Sequence, residues 1–304
     1  MSVALADALL APLGSVAEAR DRAAASLKFL AQLTSTDIAV GQSGLILRTV
    51  QLGGVDVSLR PLNPALLIEN PADYLAAMTE FEELISEVAE QHEPMTASRV
   101  AEVRATNAIS RALYTTIQAQ GFAMDCLLPA NQSRKNFGMR FEELMEHLLA
   151  SLGIGCKPIT FGLTYQTAAG SEAKFSNQVD LVIAKGIVKS TPKQLDPSEV
   201  VVSLKTSSKD RFAKIFLDQE MLRFVTGQPV KVIAMFHNDV QRAGTTKTGW
   251  TFVAGNFAAY VERFGPLTGV YYVDPPPHIN REPWSKYLRT FDDLLLCDLW
   301  TQVF

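Results

Sequence analysis

The sequence contains few cysteines and no long apolar run. Its three cysteines, Cys126, Cys156 and Cys297, are far apart and show no C-x-x-C spacing. This argues against a disulfide framework or a zinc site and favours a reducing compartment. No apolar run reaches the roughly 20 residues that a membrane-spanning helix needs. The first residues, MSVALADALLAPLG, lack a basic stretch and are interrupted by Asp7, so they favour a helix over a signal peptide. We therefore expect a soluble, cytoplasmic protein.

The chain also lacks an excess of positive charge. Its 28 Lys and Arg residues are outnumbered by 32 Asp and Glu, which gives a net charge of −4. A uniformly basic coat for nucleic acid is therefore not expected, but a local basic cleft is compatible, because binding depends on where the charge lies. With 304 residues, of which 47% are hydrophobic, the chain is long enough for one large or two modest globular domains.

The first part of the chain, up to about residue 122, has a mainly helical pattern. Apolar spacing predicts helices over 15–34, 72–91 and 96–120, the last of them ended by Gly121. A strand-like patch lies between the first two helices, with Gly53-Gly54 as its hairpin turn.

After Pro129, helical and strand-like patterns alternate. The predicted helices cover 138–152 and 210–226, and the predicted strands cover 178–184, 200–205, 230–236 and 269–273. This pattern indicates an α/β (α+β) fold with a central mixed β-sheet flanked by helices. We divide the chain into a mainly helical N-terminal region, 1–125, and a second domain, 126–304.

Two predicted strands carry a charged residue each. Asp180 lies inside QVDLVIA between apolar neighbours, where its carboxylate needs a partner or a metal because burial removes its hydration. Lys205 ends the next strand, so the two side chains meet if the strands are adjacent and antiparallel. Such a pair with a second carboxylate is the minimum set for metal-assisted phosphodiester hydrolysis. The carboxylates hold Mg²⁺, and the lysine orients or deprotonates the attacking water.

In nucleases of the PD-(D/E)xK type, the second carboxylate stands two residues before the lysine, where this chain has Ser203. One branch of that superfamily takes this carboxylate from the following helix instead. The predicted helix offers Asp218, thirteen residues after Lys205, and Glu220. Amphipathicity does not choose between them. Members of that branch place the carboxylate thirteen or fourteen residues after the lysine, so a resemblance to them favours Asp218, and Glu220 stays the alternative.

The segment SRKNFGMRFEELMEHLLASLGI, followed by VDLVIA and SLKTSSKDRF, resembles type II restriction endonucleases. The similar branch cuts CCGG-core, CCNGG and CCWGG sites, and the resemblance extends from Ser133 to about Glu220, most specifically in the KTxxKDR element. It implies that Asp180 and Asp218 bind the metal, that Lys205 is the catalytic lysine, and that Glu142 supports the site.

The resemblance also implies that the triplet Lys209, Asp210 and Arg211 reads bases. Arg and Lys donate to guanine O6 and N7, and Asp accepts from cytosine N4, so the triplet suits G·C pairs in the major groove. A homodimer or tetramer would read a palindromic G·C-rich site in double-stranded DNA, with Mg²⁺ as cofactor. A cognate DNA methyltransferase would protect the host. The region 126–304 would then cut and recognise DNA, and 1–125 would dimerise, clamp DNA or complete the core.

Each of these residues also has a purely structural interpretation. Backbone donors or an arginine could satisfy a buried Asp180, and Lys205 could extend from its strand end to solvent. The Lys209-Asp210-Arg211 triplet could be a solvated helix start. The segment from His237 to Arg242 could face DNA, although an ordinary loop at a strand end is favoured. Their joint occurrence in this order favours a nuclease. The alternatives are a less specific nuclease of the same superfamily, for repair or resolution, and a DNA-binding relative without catalysis.

Overall fold

Helices surround a small antiparallel sheet in the N-terminal region. The computed structural model describes residues 2–40, 44–208, 211–244, 246–277 and 279–304. In chain order, the first elements are α1 (Ser2–Leu10), α2 (Val16–Leu30), β1 (Thr34–Val40), β2 (Leu45–Leu52), β3 (Val55–Ser58), α3 (Pro71–Gln91), α4 (Ala97–Thr106) and α5 (Ala108–Leu127). The strands pair in the order β1-β2-β3. The predicted turn between β2 and β3 forms at Gly53 and Gly54, which both have positive φ.

The prediction of a single helix over 96–120, ended by Gly121, is wrong in two respects. Asn107 adopts a left-handed conformation, with φ of 51°, and separates α4 from α5. Helix α5 then continues through Gly121 to Leu127. A Cβ atom at Gly121 would lie 2.7 Å from Cε2 of the Phe137 ring. This glycine therefore permits close packing of α5 against the next helix and does not end α5.

A six-stranded mixed sheet forms the centre of the remaining chain. Its elements and their neighbours are α6 (Ala130–Ser151), β4 (Ile154–Gln166), β5 (Glu172–Lys185), β6 (Val200–Ser207), α7 (Phe212–Thr226), β7 (Lys231–Asn238), β8 (Val240–Arg242), β9 (Thr248–Trp250), α8 (Ala254–Phe264), β10 (Gly269–Tyr272), a 3-10 helix (Trp284–Lys286), β11 (Leu288–Thr290), α9 (Phe291–Asp293) and a π-helix (Leu294–Val303). The strand order is β11-β10-β7-β6-β5-β4, while β8 and β9 form a separate hairpin. The α/β architecture with a central mixed sheet is thus confirmed.

The strands that carry Asp180 and Lys205 are adjacent and antiparallel, as a contact between the two side chains requires. Strands β6, β7, β10 and β11 are parallel, and β5 is antiparallel to both β6 and β4. Because side chains alternate between the two faces of a strand, β6 presents Val200, Val202 and Leu204 to one face and Val201, Ser203 and Lys205 to the other.

Each face of the sheet packs against helices. Leu204 belongs to the apolar cluster that contains α6, and this cluster also takes side chains from α1 to α5. Val201 belongs to the second cluster, which contains the buried apolar side chains of α7 and Phe257 of α8. Each large side chain buried in these clusters contributes about 1.5–3 kcal/mol. Among the described residues, no helix is both long and apolar enough to cross a membrane.

Candidate active site

Asp180 and Lys205 meet where β5 and β6 separate. The antiparallel ladder between these strands ends at the pair Leu181 and Val202. Just beyond that pair, the Leu204 N–H donates to Asp180 Oδ2 at 2.7 Å. The Asp180 side chain thus takes the place of a backbone hydrogen bond between the two strands. Lys205 Nζ forms an ion pair with the same Asp180 oxygen and donates to the Leu204 carbonyl at 2.9 Å. Both charged side chains are 20% exposed, which leaves them accessible from one side.

A pocket lies beside this pair, between the sheet and α7. The sheet contributes Asp180, Ser203 and Lys205, and α7 contributes Asp218 and Gln219. We call it the carboxylate pocket. Its volume of about 30 Å³ can hold a water molecule or a small ion but not a nucleotide. Period-two alternation explains the arrangement, because Ser203 and Lys205 lie on the sheet face that α7 covers.

The two acidic candidates on α7 lie differently. Asp218 lines the carboxylate pocket and forms an ion pair with Lys214, one turn earlier in the helix. Glu220 is not among the described residues that line this pocket, and it pairs with Arg223 at 3.4 Å. The geometry therefore groups Asp218, and not Glu220, with Asp180 and Lys205.

Glu142 is half-buried on α6, on the opposite face of the sheet from α7. Burial raises the pKa of the Glu142 carboxyl, and the nearby negative charge of Asp180 raises it further, while Lys205 opposes this effect. Glu142 is therefore within electrostatic reach of both residues. A cation bound at Asp180 would relieve the repulsion between the two carboxylates.

The carboxylate pocket has the donor chemistry of a magnesium site. Asp180 and Asp218 supply carboxylate oxygens, and the amide oxygen of Gln219 is buried without a hydrogen-bond partner among the described residues. Within the same described part of the chain, no three His, Cys, Asp or Glu side chains cluster closely enough to hold a metal by themselves. Mg²⁺ is commonly held by only one or two carboxylates, with waters and phosphate oxygens completing its shell. Asp180 and Asp218 thus fit this ion.

A second, larger cleft adjoins the carboxylate pocket at Arg211, which lines both. Its volume is about 590 Å³, and four arginines line it, namely Arg60, Arg134, Arg211 and Arg242. We call it the arginine cleft. The carboxyl ends of β6 and β7 reach it through Thr206, Ser207 and Asn238. The four arginines outnumber its one described carboxylate, Asp125, so the cleft is positive although the whole chain is acidic, and such a surface suits phosphate groups.

Two arginines of this cleft, Arg60 and Arg242, are held by other parts of the chain. Arg60 donates to the Asp125 carboxylate at 2.7 and 2.9 Å and to Ser133 Oγ at 3.0 Å, and its guanidinium lies 3.7 Å from the centre of the Phe137 ring. Arg242 Nη2 donates to the Leu59 carbonyl at 2.8 Å. Sequence reasoning missed Arg60 and Arg134 as site residues, because they come from separate segments without a shared motif.

Of the sequence-predicted recognition triplet, Lys209 and Asp210 lie outside the described residues. Arg211 is exposed and directly precedes α7, where its carbonyl accepts from the Ile215 N–H at 3.0 Å. The hydroxyl of Ser208, on the other side of Lys209 and Asp210, donates to the Asp239 carboxylate. Burial raises the pKa of Asp239 to about 6.

The segment from His237 to Arg242 divides between core and cleft. His237 is fully buried and stacks on Tyr114 with 5.2 Å between ring centres. Burial lowers the pKa of His237 to about 3, so its ring is neutral at physiological pH. Asn238, Gln241 and Arg242 instead line the arginine cleft. Asn238 ends β7, and Gln241 and Arg242 belong to β8, so these residues line the cleft from strands and not from a loop.

The fold is similar to that of a type IIP restriction endonuclease. One solved structure that it resembles is the crystal structure of the type IIP restriction endonuclease Kpn2I. It matches with a TM-score of 0.70 at 16% sequence identity, over 100% of this chain and 98% of the Kpn2I chain. A complex of the restriction endonuclease PspGI with substrate DNA matches with a TM-score of 0.35 and 13% identity, over 73% of this chain and 88% of that one. No family model and no curated protein matches the sequence.

Proposed function

We propose that the protein is a Mg²⁺-dependent type II restriction endonuclease, which hydrolyses double-stranded DNA at a short palindromic, G·C-rich site. The observation that supports this most strongly is the arrangement of two adjoining sites. A pocket with Asp180, Lys205 and Asp218 meets, at Arg211, a cleft lined by four arginines. The chain carries both on a fold like that of Kpn2I.

In this proposal Asp180 and Asp218 hold the cation, and Lys205 acts on the attacking water. When bound, Mg²⁺ would polarise the scissile phosphate and lower the pKa of a bound water. Asp180 keeps the Lys205 ammonium in place through their ion pair. From there the ammonium orients the water and stabilises the negative charge that develops on the phosphate. Water attacks the phosphorus directly, without a covalent intermediate between enzyme and DNA.

The arginine cleft binds the duplex beside the carboxylate pocket. Arg60, Arg134 and Arg242 contact phosphates and so position the DNA, while Arg211, with Lys209 and Asp210, reads G·C pairs. Because Arg60 belongs to the N-terminal region, that region takes part in holding DNA as well as completing the core.

Two copies of the chain, related by a two-fold axis, would each read one half of a palindrome and cut one strand. The assembly is thus a homodimer, or a tetramer made of two such dimers. A cognate methyltransferase that modifies the same site would protect the DNA of the host, and the two proteins would form a restriction-modification system.

The purified protein is to be incubated with plasmid and genomic DNA, once with Mg²⁺ and once with EDTA, beside an Asp180→Ala variant as control. Discrete fragments that require Mg²⁺ and vanish in the variant are expected. A smear would indicate a less specific nuclease and refute site specificity. Retention of DNA in a gel shift without any cleavage would leave only a DNA-binding protein.

A further inference from the structure

Gln219 occupies an unusual position on α7. The helix is described throughout, and its buried side chains are Phe212, Ile215, Phe216, Gln219 and Leu222. Gln219 is the polar member of this otherwise apolar face, and it is only 9% exposed. Burial of a side-chain amide is unfavourable unless a hydrogen bond or another ligand compensates for the lost hydration.

Nothing in the described protein provides that compensation. The Oε1 atom of Gln219 is inaccessible to solvent and has no hydrogen-bond partner among the described residues. Along α7, Ile215 and Leu222, one turn away, are apolar and offer no donor, and the guanidinium of Arg223, one turn further on, pairs with Glu220. The same side chain lines the carboxylate pocket together with Asp180 and Asp218. A residue with a buried, unpartnered oxygen thus lines the same pocket as the two carboxylate residues.

We propose that the Gln219 amide oxygen is a third oxygen donor to the divalent cation held by Asp180 and Asp218. The inference rests on the proposed function, because it requires a cation in this pocket. Amide oxygens are suitable ligands for hard divalent cations. A neutral donor also adds a ligand without placing a third carboxylate beside Asp180 and Asp218, which both line the pocket.

Metal affinity can be measured without DNA and without turnover. Mn²⁺ is titrated into the full-length protein, and free Mn²⁺ is quantified from its electron paramagnetic resonance signal. Gln219→Leu keeps the size of the side chain but removes the oxygen, and we expect about tenfold weaker Mn²⁺ binding. Gln219→Glu should bind Mn²⁺ more tightly than the wild type. Gln91→Leu is the control: it removes an exposed glutamine on α3 that is not among the described residues of the pocket, and the affinity should not change.

Asp180→Asn separates failure of this inference from failure of the proposed site. If Asp180→Asn abolishes Mn²⁺ binding and Gln219→Leu leaves it unchanged, Gln219 is not a ligand while the two-carboxylate site stands. If neither variant changes the affinity, or the wild type retains no Mn²⁺ at millimolar concentrations, both proposals are overturned. If Gln219 has only a structural role, Gln219→Leu should raise the melting temperature of the metal-free protein and leave its Mn²⁺ affinity unchanged.

Discussion

The variants Asp218→Asn and Glu220→Gln form a matched pair that tests the choice of the second carboxylate. Both remove one negative charge from the same helix, and both break an ion pair within α7. The side chains are 29% and 53% exposed in the Asp218–Lys214 pair and 33% and 52% exposed in the Glu220–Arg223 pair. Pairs as exposed as these contribute about 0.3–0.5 kcal/mol each, so the two variants should lose similar, small amounts of stability.

Their effects on cleavage should differ strongly. Asp218 lines the carboxylate pocket with Asp180 and Lys205, and loss of a charged donor there should slow cleavage at least about 100-fold. Glu220 does not appear among the described residues of that pocket. Its replacement should change the rate no more than about twofold, which corresponds to the small energy of its surface ion pair.

Single-turnover cleavage of plasmid DNA, with enzyme in excess and Mg²⁺ saturating, measures the relevant rate. Thermal unfolding of both variants serves as the control, and their melting temperatures should agree. The choice of Asp218 is refuted if Glu220→Gln is inactive while Asp218→Asn cuts normally. If both variants cut at the wild-type rate, neither residue is the second carboxylate.

Further predictions concern catalysis, base reading and stability. Lys205→Ala should reduce cleavage at least about 100-fold while gel shifts show retained DNA binding; a near wild-type rate would exclude Lys205 from catalysis. Arg211→Ala should weaken binding to the target by about 1–3 kcal/mol for each bidentate hydrogen-bonding interaction with a guanine that it removes, measured by competition with altered sites. An unchanged site preference would remove Arg211 from base reading. Burial raises the pKa of Asp274 from 3.8 to about 7, so its ionisation destabilises the fold increasingly as pH rises from about 4 to about 7. Asp274→Asn should therefore stabilise the protein more at pH 8 than at pH 4 in thermal unfolding; an equal gain at both values would contradict this.

The contact between Asp180 and Lys205 could be predicted because it depends on local rules. Two apolar strands, each with one charged residue, bring those residues together once the strands pair antiparallel, and alternation fixes the face on which they lie. Four strands of the sheet, β5, β6, β7 and β10, and the end of α7 before Gly227 followed from apolar spacing, whereas β4 and β11 were not predicted.

Other features depend on tertiary contacts that spacing does not encode. Asp218 and Glu220 flank the same apolar stripe, and only the seating of α7 on the sheet shows which of them borders the pocket. The arginine cleft joins Arg60 and Arg242, which are far apart in the chain. Gly121 resembled a helix end, yet the nearby Phe137 ring explains it.

Sequencing the ends of genomic fragments made by the wild-type protein with Mg²⁺ is the most direct measurement of site-specific cleavage. DNA from a host without the cognate methyltransferase is the appropriate substrate. We predict that the ends map to one short palindromic sequence with G·C-rich arms, cut at the same position in every copy. Ends distributed without a shared sequence, or the same ends with EDTA in place of Mg²⁺, would contradict a metal-dependent restriction endonuclease.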